Sequence, residues 1–289
     1  MQTHTTASGW QQRLLPFAAL LVAMVSVQFG AAFAKELFPA LGVQRSTFLR
    51  LGLGALLLAP VLKPWRTRLS AREWPLLLGY SAAIGTMNLC FYSALQRIPL
   101  GIAVALEFTG PLGLALCLSH RRVDLLWVAL AVAGLLLLLP LAPHSQALDH
   151  VGVAFALMAA VLWAAYSVLA RRIGARHGND IVGLAMAIAA VLILPVAALQ
   201  PGPYSITPHL ALAALVMALF ASAVPFFFEL VALRGMPVRV YGTFTSLEPA
   251  LGTLMGLVVL RELPGAIELA GVTAIVIASV GSAAGSTGN

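Results

Sequence analysis

The sequence predicts an all-α integral membrane protein with ten transmembrane helices, arranged as two inverted repeats of five helices. Composition gives the fold class: hydrophobic residues make up 61% of the 289-residue chain and charged residues 9%, against about 45–50% and about 25% in soluble domains. So few charged side chains cannot cover a soluble protein of this length. A soluble enzyme and a nucleic-acid-binding domain are therefore excluded, and the bilayer is the expected partner.

Long apolar runs recur along the chain, and they are the basis of the ten predicted spans. Each approaches the roughly 20 residues that a helix needs to cross about 30 Å of hydrocarbon. Only helices satisfy every backbone polar group within such a segment. Clusters of proline, glycine and arginine, as at residues 63–66 and 234–237, separate the runs. We expect spans at residues 14–34, 43–62, 74–95, 99–119, 124–141, 151–171, 181–199, 207–230, 238–260 and 265–284.

The distribution of lysine and arginine predicts the orientation of these spans. Of the 17 basic residues, twelve lie in the amino-terminal tail and the loops on its side of the membrane, and four lie on the opposite side. Arg50 lies within a span. Because cytoplasmic loops are enriched in lysine and arginine, we expect both termini in the cytoplasm.

An internal repeat predicts the two halves. Pro99 and Pro111 are twelve residues apart, and Pro237 and Pro249 repeat that spacing 138 residues later. Each half then contributes five spans, so the second copy enters the membrane from the opposite face. Inverted repeats of this kind are typical of secondary transporters, with the substrate site near the midplane. The predicted repeats are residues 1–143 and residues 144–289.

Three charged side chains lie deep within predicted spans: Arg50, Glu107 and Glu248. A charge at the bilayer centre costs roughly 2.5–3.5 kcal/mol on insertion scales, so such residues require a function or a partner. Glu229 and Glu268 lie nearer span ends, where we expect their carboxylates to reach water.

Prolines follow both deep glutamates. Pro111 leaves the carbonyl of Glu107 without its helical donor, and Pro249 does the same to the carbonyl of Thr245. A carboxylate beside a broken helix offers a proton site and unpaired acceptors for an ammonium group. The alternative is that these glutamates pair with Arg50 and lock the bundle.

Polar and aromatic residues recur at helical spacing in several spans, which indicates a polar cavity inside the bundle. For any single residue, hydrogen bonding between helices is an alternative explanation. The candidate residues for binding substrate or protons are Glu107, Glu248, Arg50, Lys35, Gln28, Asn88, Tyr92, Trp163, Tyr166, Tyr241 and Thr245.

The sequence contains no motif for a nucleotide, flavin or metal, so no cofactor is expected. A phosphate-binding loop of the Gly-x-x-x-x-Gly-Lys-Ser/Thr type is absent. Energy for transport is then expected from a gradient, and a buried glutamate can couple to protons. The sequence sets no oligomeric state.

The stretches at residues 99–111 and 34–39, with support from 49–51, 63–66 and 246–251, resemble the drug/metabolite transporter superfamily with two EamA-type repeats. Within it, the sequence is most similar to the threonine/homoserine exporters of bacterial inner membranes, over residues 18–283. The resemblance implies ten transmembrane helices and export of small amino acids, with proton antiport.

Two alternatives stay open. Relatives with this fold carry other cargo, and Tyr92, Trp163, Tyr166 and Tyr241 could form a stacking wall for an aromatic amino acid. The other alternative is an intramembrane enzyme that uses Glu107 and Glu248 as an acid/base pair, although we expect no enzyme.

Overall fold

A computed structural model describes residues 9–117, 124–138, 148–177, 180–201 and 207–285. Within these ranges the chain is helical and has no β-strand, which confirms the all-α prediction for them. The helices are α1 (Gly9–Leu41), α2 (Val43–Leu62), α3 (Trp74–Leu95), α4 (Leu100–Cys117), α5 (Asp124–Leu138), α6 (His150–His177), α7 (Asp180–Leu199), α8 (Pro208–Ala218), α9 (Val224–Gly235), α10 (Val238–Thr245), α11 (Glu248–Val259) and α12 (Ala266–Gly285).

Most helices begin and end close to the predicted spans, but the first is longer. α1 continues to Leu41 and therefore includes Lys35. Gly42 alone separates α1 from α2, with φ at 76°, a left-handed conformation that suits glycine. The last residues of predicted spans 4 and 5, at 118–119 and 139–141, lie outside the described residues.

Two predicted spans are interrupted. A π-helical turn at Leu219–Ala223 joins α8 to α9, and residues 246–247 separate α10 from α11. A proline follows each interruption, Pro225 in the first case and Pro249 in the second, and neither can donate to the preceding turn. By contrast, α4 continues through Pro111.

The two halves pack against each other helix by helix. α3 packs on α6, and correspondingly α1 packs on α9. α2 pairs with α7, α5 with α12, and α4 packs against α6 and α11. A shift of 138 residues along the sequence takes α1 to α6 and α3 to α8–α9. The contact of α3 with α6 therefore corresponds to the contact of α1 with α9. The core therefore lies between the halves.

The outside of the bundle is apolar. Leu56, Val161, Leu199 and Leu263 are each more than half exposed, as expected of side chains that face lipid. Within the described ranges, six helical segments are long and apolar enough to cross a membrane: Leu14–Leu41, Val43–Leu62, Leu100–Cys117, His150–His177, Asp180–Leu199 and Pro208–Gly235.

Contacts along α1 define the two ends of the bundle. Near its start, Pro16 packs against Gly235 at the end of α9; we call this the α9/α10 end. Near the other end of α1, Lys35 bonds to Glu262, which follows α11 and also accepts from the first amide of α4 at Leu100. We call this the α4/α11 end. α4 and α11 therefore run antiparallel.

Candidate functional site

A cavity of about 240 Å³ lies between α1, α2, α3, α4, α6, α9 and α11. Its polar lining consists of Gln28, Arg50, Asn88, Glu107, Glu229 and Glu248. A second cavity of about 180 Å³ adjoins it and shares part of this lining, including Arg50 and Glu229. Pockets for drug-sized ligands measure roughly 300–1,000 Å³, so the larger cavity suits a small solute. We call it the charged cavity.

Arg50 is held in the charged cavity by two contacts. Its Nη2 donates to the carbonyl of Ala221 at 3.1 Å, and its guanidinium carbon lies 5.1 Å from the centre of the Tyr92 ring. Such a cation–π contact stabilises a guanidinium away from water. Among the described residues, no carboxylate lies within 4.0 Å of Arg50. The expected alternative, a direct lock between Arg50 and the glutamates, is thus not formed in this conformation.

The carbonyl that receives Arg50 is available because of a proline. In a regular helix the amide of residue 225 would donate to Ala221, but Pro225 has no N–H. The turn before it is π-helical, with the amide of Val224 donating to Leu219. Such turns occur frequently at functional sites. The interruption of α8–α9 therefore creates one of the two contacts that position the guanidinium.

Three carboxylates face the same cavity from three helices. Glu107 lies on α4 and is 8% exposed, Glu229 lies on α9, and Glu248 opens α11. In the part of the chain that the structure describes, none of the three has a hydrogen bond or an ion pair with the protein. The position of Glu248 in a first helical turn favours a negative charge there. All three are available to a ligand or to protons.

Neutral polar groups complete the lining. Asn88 donates from Nδ2 to the carbonyl of Ile84 at 2.9 Å within α3, so the helix fixes this side chain. Gln28 of α1 is 4% exposed and also lines the charged cavity. These amides can hydrogen-bond a polar ligand without adding charge.

Aromatic rings from α6 form one wall. Trp163 packs edge-on against Phe108, with ring centres 5.7 Å apart, and Tyr166 stacks on Tyr80 at 5.3 Å. Both α6 rings line the charged cavity. Because each ring is held by a second ring, this wall is preformed.

Three other predicted site residues lie elsewhere. Tyr92 is fully buried beneath Arg50 and supports it from behind. Tyr241 packs with the apolar cluster around Leu20 and Met24. Thr245 donates to the carbonyl of Gly242 within its own helix. None of the three is part of the cavity lining in this conformation, so their direct contact with substrate stays a prediction.

Lys35 is also placed differently from the expectation. Its Nζ lies 2.6 Å from Glu262 Oε1 and 2.9 Å from the carbonyl of Ile98. The other oxygen of Glu262 accepts from the amide of Leu100 at 2.7 Å. Lys35 therefore joins α1, the start of α4 and the end of α11, and it does not line the charged cavity. We call this group the α4/α11 junction.

Glu229 is the site residue that sequence reasoning missed. Its position near a span end led to the expectation that it reaches water there, but it lines both cavities. A usable signal existed, since Pro225 precedes it by one turn and breaks the helix as Pro111 and Pro249 were expected to do.

An apolar helical bundle built around a small cavity lined with charged groups is the architecture of a membrane transport protein. Comparison with known proteins agrees. The EamA-like transporter family matches residues 15–140 and 150–283. The chain belongs to this family, as the motifs had predicted.

Individual relatives extend the comparison. The chain is 45% identical over 272 residues to the threonine/homoserine exporter RhtA of Escherichia coli (strain K12), which covers 93% of this chain and 91% of that protein. RhtA of Salmonella typhimurium (strain SL1344) is 44% identical with the same coverage. The pseudopaline exporter CntI of Pseudomonas aeruginosa (strain UCBPP-PA14) is 29% identical over 189 residues, 63% of this chain and 66% of that protein.

A solved crystal structure supports the fold. It superposes with a TM-score of 0.62 at 23% sequence identity and covers 94% of this chain and 97% of the other. At this identity the likeness concerns the fold alone. Together these findings identify a bacterial multi-pass membrane protein of a transporter family.

Proposed function

We propose that this protein is a secondary transporter of the bacterial inner membrane that exports threonine, homoserine and similar small zwitterions in exchange for protons. The similarity to exporters named for these amino acids, over nearly the whole chain, supports the substrate class. We expect no cofactor or nucleotide to take part, because the sequence has no motif for either.

The observation that carries the proposal is that, among the residues the structure describes, one guanidinium and three carboxylates without a hydrogen bond or ion pair line the same small cavity. Arg50 binds the amino acid's carboxylate, for which a guanidinium has matching geometry. Glu107 binds the ammonium group, with Glu248 as the second candidate. Gln28 and Asn88 contact the polar side chain, and the α6 rings close the apolar side.

The proposed topology has ten crossings. α8 with α9 forms one crossing, α10 with α11 forms another, and each of the other eight helices forms one. Residues 1–143 and 144–289 are the two inverted repeats, and the family matches once within each range. The bias of lysine and arginine supports cytoplasmic termini. The α9/α10 end then faces the cytoplasm.

An aromatic amino acid is the second candidate substrate, and Trp163 and Tyr166 favour it. Against it, Tyr92 and Tyr241 do not line the charged cavity, and the volume of about 240 Å³ is small. We therefore rank it below the small zwitterions.

Counterflow into proteoliposomes tests the proposal. Liposomes preloaded with unlabelled homoserine should take up labelled homoserine and threonine, and labelled phenylalanine should enter much more slowly. A pH gradient should drive uptake without preloading, and the recovered solute should be chemically unchanged. Counterflow of phenylalanine without homoserine would replace the first candidate with the second, and an altered product would indicate an enzyme.

A further inference from the structure

Glu229 occupies a place in the site that the other two carboxylates do not share. It lines both the charged cavity and the adjoining cavity of about 180 Å³, whereas Glu107 and Glu248 line the first of these two cavities and not the second. Ser222 and Met186 also line this second cavity. Glu229 can therefore meet water in one cavity while a solute occupies the other.

The three carboxylates lie at successive depths. With a rise of about 1.5 Å per residue, Glu107 is about 10 Å from the α4/α11 end, at which α4 begins. Glu229 is about 9 Å from the opposite end, where α9 finishes. Glu248 lies about 15 Å from the start of α10, near mid-depth. Glu229 is thus the carboxylate nearest the α9/α10 end.

Charge balance separates the roles of these groups. Arg50 is the cation that lines the charged cavity in the described part of the chain, because Lys35 is held at the α4/α11 junction. One guanidinium faces three carboxylates, and a zwitterionic solute adds no net charge. In an exchange the proton crosses the membrane on the step without solute. Excess negative charge in a membrane interior is unfavourable, so at least one carboxyl group of the empty site should carry a proton on that step.

Geometry selects Glu229 for that proton. Arg50 lies about 10 Å from the start of α2, and Glu107 lies about as far from the start of α4. Because their depths are similar, the two side chains can bind opposite ends of one small zwitterion. Glu248 begins a helix, and that position favours its charged form. Glu229 has no helix terminus, ion pair or hydrogen bond among the described residues to hold a charge.

We propose that Glu229 is the residue that carries the exchanged proton, while Arg50 and Glu107 hold the amino acid. This inference rests on the proposed function, and it assigns the two halves of the exchange to different side chains. The carboxylate takes up a proton from water and later releases the same proton to water on the other side. The titratable and charged groups that face it are Arg50, Glu107, Glu248, Tyr166 and Tyr241.

Two transport measurements on the full chain in proteoliposomes test the inference. Counterflow of labelled homoserine requires substrate binding but no net movement of protons. Uptake driven by a pH gradient requires substrate binding and net movement of protons. Glu229→Gln cannot carry a proton. We expect its gradient-driven uptake to fall by at least about tenfold and its counterflow by no more than about threefold, a separation that a binding residue would not give.

Glu229→Asp and two controls make the test decisive. Glu229→Asp should regain gradient-driven uptake, with a pH profile displaced from that of the wild-type protein. Glu107→Gln should lose both activities, and Glu36→Gln, which changes an exposed glutamate outside the site, should lose neither.

The results that would overturn the inference are distinct from those that overturn the proposed function. Gradient-driven uptake of Glu229→Gln at the wild-type rate, or an unchanged pH profile of Glu229→Asp, would overturn the inference alone. Loss of coupling in Glu248→Gln but not in Glu229→Gln would move the proton to Glu248. Absence of homoserine and threonine counterflow by the wild-type protein would overturn the proposed function itself.

Discussion

The charged cavity and the α4/α11 junction both bring acidic and basic side chains together between the two halves. They differ in whether those charged groups have partners within the protein. At the junction, Lys35 and both oxygens of Glu262 have partners within 3 Å. In the charged cavity, Arg50 has a carbonyl and a ring as partners, and the three carboxylates have no hydrogen bond or ion pair among the described residues.

This difference teaches how to separate structural from functional charge in a membrane interior. A charge with its hydrogen bonds made within the protein has little left to offer a solute, and removing its partner leaves it unpaired at a cost to stability. A charge without them raises the energy of the empty site and is compensated when a ligand or proton arrives. Substitutions in the charged cavity should therefore affect transport more than stability, and those at the junction should do the reverse.

The largest effect is expected for Glu107→Gln. A hydrogen bond between charged groups is worth about 1.5–3 kcal/mol, so its loss should lower the initial rate of homoserine counterflow by roughly 10–100-fold. Equal amounts of reconstituted protein should be compared with the Glu36→Gln control, which should keep the wild-type rate. A Glu107→Gln rate within about twofold of wild type would remove Glu107 from the substrate site.

Arg50→Lys should give the next largest effect. Lysine keeps the charge but loses the planar guanidinium that faces the Tyr92 ring and can bind a carboxylate through two N–H groups. We expect the KM for homoserine to rise by about tenfold, roughly 1.4 kcal/mol of binding, with little change in the melting temperature. Arg97→Lys, at an exposed ion pair, is the matched control. An unchanged KM would show that Arg50 is not the carboxylate site.

Much of the fold could be predicted because it depends on local features of the sequence. Hydropathy located the helices, and the repeated proline spacing predicted the two halves. The deep charges Arg50, Glu107 and Glu248 were found because a charge within an apolar run needs a reason to be there. All three line the charged cavity.

The remaining details depend on which helices meet, which a single sequence does not show. Lys35 lies in an apolar run as Arg50 does, but its partner Glu262 is 227 residues away. Tyr241 has the spacing of a cavity residue, yet it packs against apolar residues of α1 and is not part of the lining of the charged cavity. Glu229 was misjudged because distance from a span end does not say whether water or another helix is adjacent.

A stability measurement at the junction sharpens the comparison from its other side. Lys35→Met should lower the melting temperature in detergent, because it leaves Glu262 without its cation in a site where both side chains are about one-fifth exposed. In a double-mutant cycle of Lys35→Met with Glu262→Gln, we expect a coupling free energy of unfolding of roughly 1–3 kcal/mol.

The Arg97–Asp149 pair supplies the control for this cycle. Its N–O distance of 2.9 Å is comparable, but the side chains are 42% and 35% exposed. The corresponding cycle with Arg97→Met and Asp149→Asn should give a coupling below about 1 kcal/mol, as for other exposed pairs. Equal couplings at the two sites would mean that burial is not what makes the junction structural.

The smallest effect is expected outside the membrane, at Glu73 before α3. Glu73 accepts hydrogen bonds from the amide and the hydroxyl of Ser70, each at 2.8 Å. The bond from the Ser70 amide has the largest effect on the pKa of Glu73, followed by the bonds from the Ser70 hydroxyl and from His177. Together they lower this pKa from 4.5 to about 2. Because the folded-state pKa is depressed, the stabilisation is complete above pH 4.5 and is lost as the pH falls through about 2.

Ser70→Ala tests this behaviour, since it removes only the hydroxyl and leaves His177 in place. The variant should melt slightly below the wild-type protein, with the same difference at pH 8 and at pH 5, and by less than Lys35→Met. A difference that disappears between pH 8 and pH 5 would show that Glu73 takes up a proton in that range. The hydrogen-bonded carboxylate of Glu73 would then lose its charge as readily as a carboxylate without partners. The difference between the junction and the charged cavity would not apply to charges at the surface.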